Sequence, residues 1–96
     1  MQFLIFSQAA IYQLRQLSKV VRDKTGVRHR LSDSKSIMSL LRFSATSPDP
    51  NIFMYFGLFT KELKEDQRKY LQSRGLILPS VLYEKMHDAT QRKTAV

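Results

Sequence analysis

The sequence predicts an all-α fold, a small four-helix domain with a long central third helix. Two observations lead to this prediction. Apolar residues recur at helical spacing along most of the chain, and helix-capping residues precede the periodic segments. The chain has 96 residues, 43% of them hydrophobic, which is the size of one domain with a small core. We expect a single helical domain over residues 1–89 and a flexible basic tail over 90–96.

The first two helices follow from apolar spacing and capping. The first is predicted over residues 3–24, where Thr25-Gly26 supplies the stop,. Its apolar positions lie three or four residues apart: Phe3, Phe6, Ala10, Leu14, Leu17 and Val21. The second is predicted over 33–43, because Ser32 or Asp33 can accept from the free amides of a first turn. Its inward residues are predicted to be Ile37, Leu40, Leu41 and Phe43.

The third helix is predicted over residues 50–74. Asp49 caps its amides, and a proline at the first helical position, Pro50, loses no hydrogen bond there,. Gly75 ends it. Its apolar stripe contains one gap, at Asp66 or Gln67, and consists of Ile52, Phe56, Phe59, Leu63 and Tyr70. A fourth helix is predicted over 80–88, capped by Ser80.

Residues 52–59 are also compatible with a β-strand, and therefore with a second fold class. These eight residues carry no charge, four of them are aromatic, and aromatic content suits a buried strand. Gly57 weakens a helix at this position. The alternative is therefore an α/β fold with strands near 2–6, 27–31 and 51–58.

Positive charge is concentrated in the N-terminal half of the chain. The net charge is +8, of which residues 1–48 carry +6 and residues 49–96 carry +2. Residues 15–30 hold six cationic side chains opposed only by Asp23, and three of the six share one helical face,. We predict that they bind nucleic acid or another polyanion. The residues are Arg15, Lys19, Arg22, Lys24, Arg28 and Arg30.

The aromatic part of the third helix predicts a contact surface. A helix that is apolar on nearly every side must be covered on nearly every side. Either it is the central helix of this domain or part of it packs against a partner or a second copy. Phe53, Tyr55 and Leu58 lie away from the stripe, and we assign them to an interface, with a homodimer expected.

Other features limit the class of protein. No motif of a hydrolase, metal site or phosphate-binding loop surrounds His29 or His87, the two histidines,. We therefore expect no enzyme, catalytic residue, cofactor, metal ligand or small-molecule substrate. No apolar run approaches the roughly 20 residues of a membrane span. The chain lacks cysteine, and we expect a cytoplasmic location.

The sequence thus favours a small non-enzymatic regulatory protein that binds nucleic acid through a basic surface. The alternative is a protein–protein interaction module, namely an inhibitor, adaptor or assembly factor. In that case the aromatic helix forms the contact and the basic face meets an acidic partner.

Overall fold

A computed structural model describes residues 6–78 and confirms the all-α fold. Within that range the chain forms four helices and no strand. They are α1 (Gln8–Thr25), α2 (Ser34–Ala45), α3 (Pro50–Lys61) and α4 (Glu65–Ser73). The alternative strands near 27–31 and 51–58 are absent, since the first segment is irregular and the second is helical. The helix predicted over 80–88, the tail over 90–96 and most of the strand near 2–6 lie outside the described residues.

Helix α3 is the central element, as the sequence predicts. It packs against both α1 and α2, and its contact with α1 is the more extensive. Each helix turns its apolar stripe toward this centre. The buried residues of α1 are Ala10, Leu14, Leu17 and Val21, and those of α3 are Ile52, Phe56, Phe59 and Thr60.

Helix α1 begins five residues later than the sequence predicts, because Ser7 caps it. The Ser7 hydroxyl accepts a hydrogen bond from the Ala10 amide at 3.2 Å, which satisfies one of the free donors of the first turn. Phe6 is buried as predicted but precedes the helix. Its ring meets the ring of Phe59 edge-on, with the centroids 5.3 Å apart. The predicted stop is confirmed: Gly26 takes φ 77° and its amide donates to the Arg22 carbonyl.

The caps predicted for α2 and α3 are present. Asp33 accepts from the Lys35 amide at 3.3 Å, and Asp49 accepts from the Asn51 amide at 2.8 Å, with Pro50 at the first helical position. Phe43 is 41% exposed, so its predicted inward position is wrong. It lies two residues after Leu41, about 200° around the helix from that buried side chain.

The predicted third helix over 50–74 is interrupted, and its second half is the separate helix α4. Glu62, Leu63 and Lys64 form a corner in which Leu63 is buried and Lys64 is extended at ψ 163°. Gln67 Oε1 accepts from the Lys64 amide at 3.2 Å. Two acids, Glu65 and Asp66, stand in the first turn of α4, where the helix dipole favours negative charge.

The Glu62 carbonyl, left without a helical partner by this corner, accepts a hydrogen bond from the Ser7 hydroxyl at 3.1 Å. Ser7 therefore caps α1 and binds the α3–α4 corner at once. At its far end α4 stops as predicted. Gly75 takes φ 93°, and the buried Leu76 and Leu78 return the chain to the core.

Candidate polyanion-binding face

Three of the predicted binding residues lie along the solvent side of α1. Arg15 and Lys19 are exposed and Arg22 is half-exposed. We call Arg15, Lys19 and Arg22 the basic stripe. Their spacing of four and three residues keeps them together, while the apolar residues of α1 hold the opposite side of the helix against α3,. The core thus fixes which side of α1 presents positive charge.

The six cationic side chains differ in how far acids neutralise them. Arg22 pairs with Asp23 at 3.6 Å, and Lys24 pairs with Asp49 at 3.3 Å. Within residues 6–78, no such ion pair involves Arg15, Lys19, Arg28 or Arg30. These four cations are more available to an anionic ligand than Arg22 and Lys24, because each of those two already has an acidic partner.

The connector between α1 and α2 folds back toward the basic stripe. Leu31 packs against the core, the Arg30 amide donates to Ser36 Oγ at 2.7 Å, and the Asp33 amide donates to the Arg30 carbonyl at 3.3 Å. These contacts fix the backbone at Arg30. Leu31 and Ser32 share with Arg15 a depression of about 300 Å³, whose other walls are Phe6, Ile11, Leu14 and Ile37. The fold thus brings the connector beside Arg15, which sequence spacing alone does not predict.

His29 lies in this connector between two exposed arginines. It is half-buried, and its Nδ1 is buried with no hydrogen-bond partner. Such an unpaired buried atom is uncommon in proteins and destabilising. Within residues 6–78, no three histidine, cysteine or acidic side chains stand close enough to hold a metal ion.

The Lys24–Asp49 ion pair joins the end of α1 to the start of α3. The pKa of Asp49 lies below its usual value, first because its carboxylate accepts from the Asn51 amide and then because of Lys24; desolvation partly opposes this shift. A lowered folded-state pKa means that the unfolded chain binds more protons in the acid range. The carboxylate's contribution to stability is present above its unfolded pKa of about 3.8. It is lost as the pH falls through the lower, folded value.

We therefore expect Asp49→Asn to lower the melting temperature at neutral pH and to have no effect in strong acid. Asparagine is also a good N-cap, so the substitution removes charge while keeping the cap. Melting curves of both proteins from about pH 7 to about pH 2 would check this. Asp23→Asn is the matched control, because Asp23 pairs with a cation but caps no helix. A melting-temperature difference at Asp49 that is the same at every pH would contradict the expectation.

Of the three residues assigned to the second surface, on α3, two are exposed to solvent and one is not. Phe53 and Leu58 are exposed, at 40% and 39%, but Tyr55 is half-buried and packs against the core. Met54, which is not among the predicted interface residues, is 50% exposed. Helical rotation explains the exchange: Tyr55 lies about 60° from Ile52 and Met54 about 160° from it.

Phe53 also lines an open groove between α2, α3 and the segment after α4. The groove has a volume of about 500 Å³ and is lined by Arg42, Ala45, Thr46, Phe53, Gly75, Leu76 and Ile77. Arg42 Nη2 donates to the Arg74 carbonyl at 3.4 Å. The groove therefore carries an apolar wall and one guanidinium group that is held at its edge.

Comparison with known proteins identifies no relative of this chain. No protein-family model matches the chain, and neither the curated proteins nor the solved structures contain a match. None of the helices between residues 6 and 78 has the length and apolar character to cross a membrane.

Proposed function

We propose that the chain is a small non-enzymatic regulatory protein that binds nucleic acid through the basic stripe and the adjoining connector. The observation that supports this most directly is the exposure of Arg15 and Lys19 on one side of α1 without an ion pair among the described residues. Cations placed in this way gain most from phosphate contacts, because they give up no acidic partner when they bind.

The connector supports the same proposal. Arg30 is exposed on a backbone that hydrogen bonds hold in place, and Leu31 and Ser32 lie beside Arg15. A fixed backbone loses less conformational entropy on binding than a free loop. Arg22 and Lys24 take a lesser part in this proposal, since each already pairs with an acid.

The test is a charge-removal pair of variants with equal net charge. Arg15→Gln combined with Lys19→Gln is expected to weaken binding to a labelled oligonucleotide by about tenfold or more at low salt. The slope of log K against log salt should become shallower by about 1.4 for a single strand and about 1.8 for a duplex. Fluorescence anisotropy between about 50 and 200 mM salt measures both quantities.

The matched control is Lys61→Gln combined with Lys69→Gln, which removes the same charge from α3 and α4. Both lysines are exposed, and the ion pair of Lys69 with Glu65 is a surface contact of small energy,. This control should change affinity and slope much less. Equal effects of the two variants would show that net charge, and not the basic stripe, causes binding. Absence of binding by the wild type at low salt would refute the proposal.

One observation favours the second candidate, a protein interaction module. Phe53, Met54 and Leu58 expose apolar surface on α3, and such a surface suits a partner protein or a second copy. This candidate replaces the first if the wild type binds no oligonucleotide but light scattering shows a dimer that Met54→Lys dissociates. Met54 is the better site for that substitution than Tyr55, which packs against the core.

A further inference from the structure

Tyr12 stands at the N-terminal end of the basic stripe and is 59% exposed. Tyr12, Arg15 and Lys19 follow one another at spacings of three and four residues inside α1, so the aromatic ring and the two cations lie on one side of the helix. The other large apolar side chains of α1 are buried or partly buried, but this one faces solvent beside cations that have no ion pair among residues 6–78.

We propose that this face binds single-stranded nucleic acid, with Tyr12 stacking on a base while Arg15 and Lys19 contact phosphates. The proposal rests on the nucleic-acid function proposed above and specifies its ligand. An exposed aromatic ring next to cations is the combination that single-strand-binding surfaces use, because every base offers a flat face for stacking. In an intact duplex the bases are already stacked on one another, so an aromatic side chain on the surface of a protein helix cannot reach their faces.

The depression beside Arg15 extends this surface. Ile11 precedes Tyr12 directly and lines the depression together with Arg15, Leu31 and Ser32. Tyr12 does not line the depression of about 300 Å³ itself, but Arg15, which shares one side of α1 with Tyr12, lies in its wall,. We expect a neighbouring base of the strand to enter this depression while Arg15 contacts the phosphate between the two bases.

The contributions of stacking and of charge separate in one titration series. The probe is an end-labelled oligothymidine of about 12 nucleotides, compared with a duplex and with an abasic strand of the same length. We expect the wild type to bind oligothymidine at least about fivefold more tightly than either. Tyr12→Ala should weaken oligothymidine binding by about fivefold or more and leave the salt slope unchanged. Arg15→Gln should make that slope shallower by about 0.7.

Two substitutions serve as controls. Tyr12→Phe keeps the ring and should bind like the wild type. Phe43→Ala removes an exposed aromatic ring from α2, outside the basic stripe, and should also have no effect. Because Tyr12 is exposed, its variants should keep the wild-type circular dichroism spectrum. The comparison of oligothymidine with the abasic strand tests base stacking with the wild-type protein. The proposal can therefore be tested even if a variant fails to fold.

The outcomes distinguish this inference from the function on which it rests. If oligothymidine, duplex and abasic strand bind equally, or if Tyr12→Ala has no effect, the stacking inference is wrong and the general proposal of polyanion binding survives. If an acidic polypeptide such as polyglutamate competes as well as oligothymidine, recognition is by charge alone and the inference is again wrong. If none of the nucleic acids binds at low salt, both proposals fail.

Discussion

Replacing Phe59 by alanine is expected to lower the free energy of unfolding by about 3–5 kcal/mol, the range for a buried phenylalanine. The Phe59 ring is fully buried on α3, and its edge-on contact with Phe6 ties the segment before α1 to the centre of the domain. An aromatic pair of this kind adds about 0.5–1.5 kcal/mol beyond the burial of its surface. Denaturant titration followed by circular dichroism measures the loss.

Phe53→Ala is the matched control, because it removes the same side chain from the same helix at a position that is 40% exposed. We expect it to cost less than about 1 kcal/mol. A domain of this size is expected to be stable by only about 5–10 kcal/mol, so Phe59→Ala removes a large share of the total. Equal losses at the two positions would mean that α3 does not turn Phe59 toward the core and Phe53 toward solvent.

Replacing Ser7 by alanine is expected to cost about 2 kcal/mol, since one hydroxyl makes two hydrogen bonds that the chain cannot replace. It accepts from the Ala10 amide at the start of α1 and donates to the Glu62 carbonyl at the α3–α4 corner. The free energy of unfolding measures the sum. Hydrogen exchange should show faster opening at both places, because each loses a bond.

Two further substitutions separate the contributions of these two hydrogen bonds to stability. Ser7→Thr keeps a hydroxyl and should stay close to the wild type. Ser7→Asp keeps the capping acceptor but has no proton to donate, so it should disturb the α3–α4 corner and leave the start of α1 intact. If Ser7→Asp restores the full stability of the wild type, the contact with Glu62 contributes nothing and the estimate for Ser7→Ala must be halved.

The sequence predicts the fold well where periodicity and capping agree. Asp33 and Asp49 are the caps that their residue types suggest, and Gly26 and Gly75 end helices at positive φ. These are local interactions, made within a few residues, so local sequence determines them. Gly57 does not interrupt α3, because the burial of that helix's aromatic stripe outweighs the propensity cost of one glycine,.

The interruption after Lys61 has a signal in the sequence, although helical periodicity alone predicts one continuous helix. The apolar stripe has its one gap at Asp66 or Gln67, where the structure places the acidic first turn of α4 and the side chain that accepts from Lys64. The partner that satisfies the Glu62 carbonyl is Ser7, which lies 55 residues earlier. Contacts at that separation depend on the packing of α1 against α3, so no local pattern reveals them.

The candidate site is predictable in its charges but not in its arrangement. Helical spacing alone places Arg15, Lys19 and Arg22 on one side of α1. It does not reveal that Asp49 engages Lys24, nor that the connector returns to Arg15. Helical spacing also places Tyr12 on the side of α1 that carries Arg15 and Lys19. Its exposure to solvent, however, depends on how the other helices pack, and helical spacing does not predict that.

The pairing of α1 with α3 has a consequence for synthesis on the ribosome. The apolar stripe of α1 packs mainly against a helix that ends at Lys61, and α2 lies between the two in sequence. A nascent chain that has released only α1 and α2 therefore lacks the main surface against which Leu14 and Leu17 are buried. We expect the domain to remain unfolded until α3 has left the exit tunnel and then to close in one step, since its central helix contacts both earlier helices.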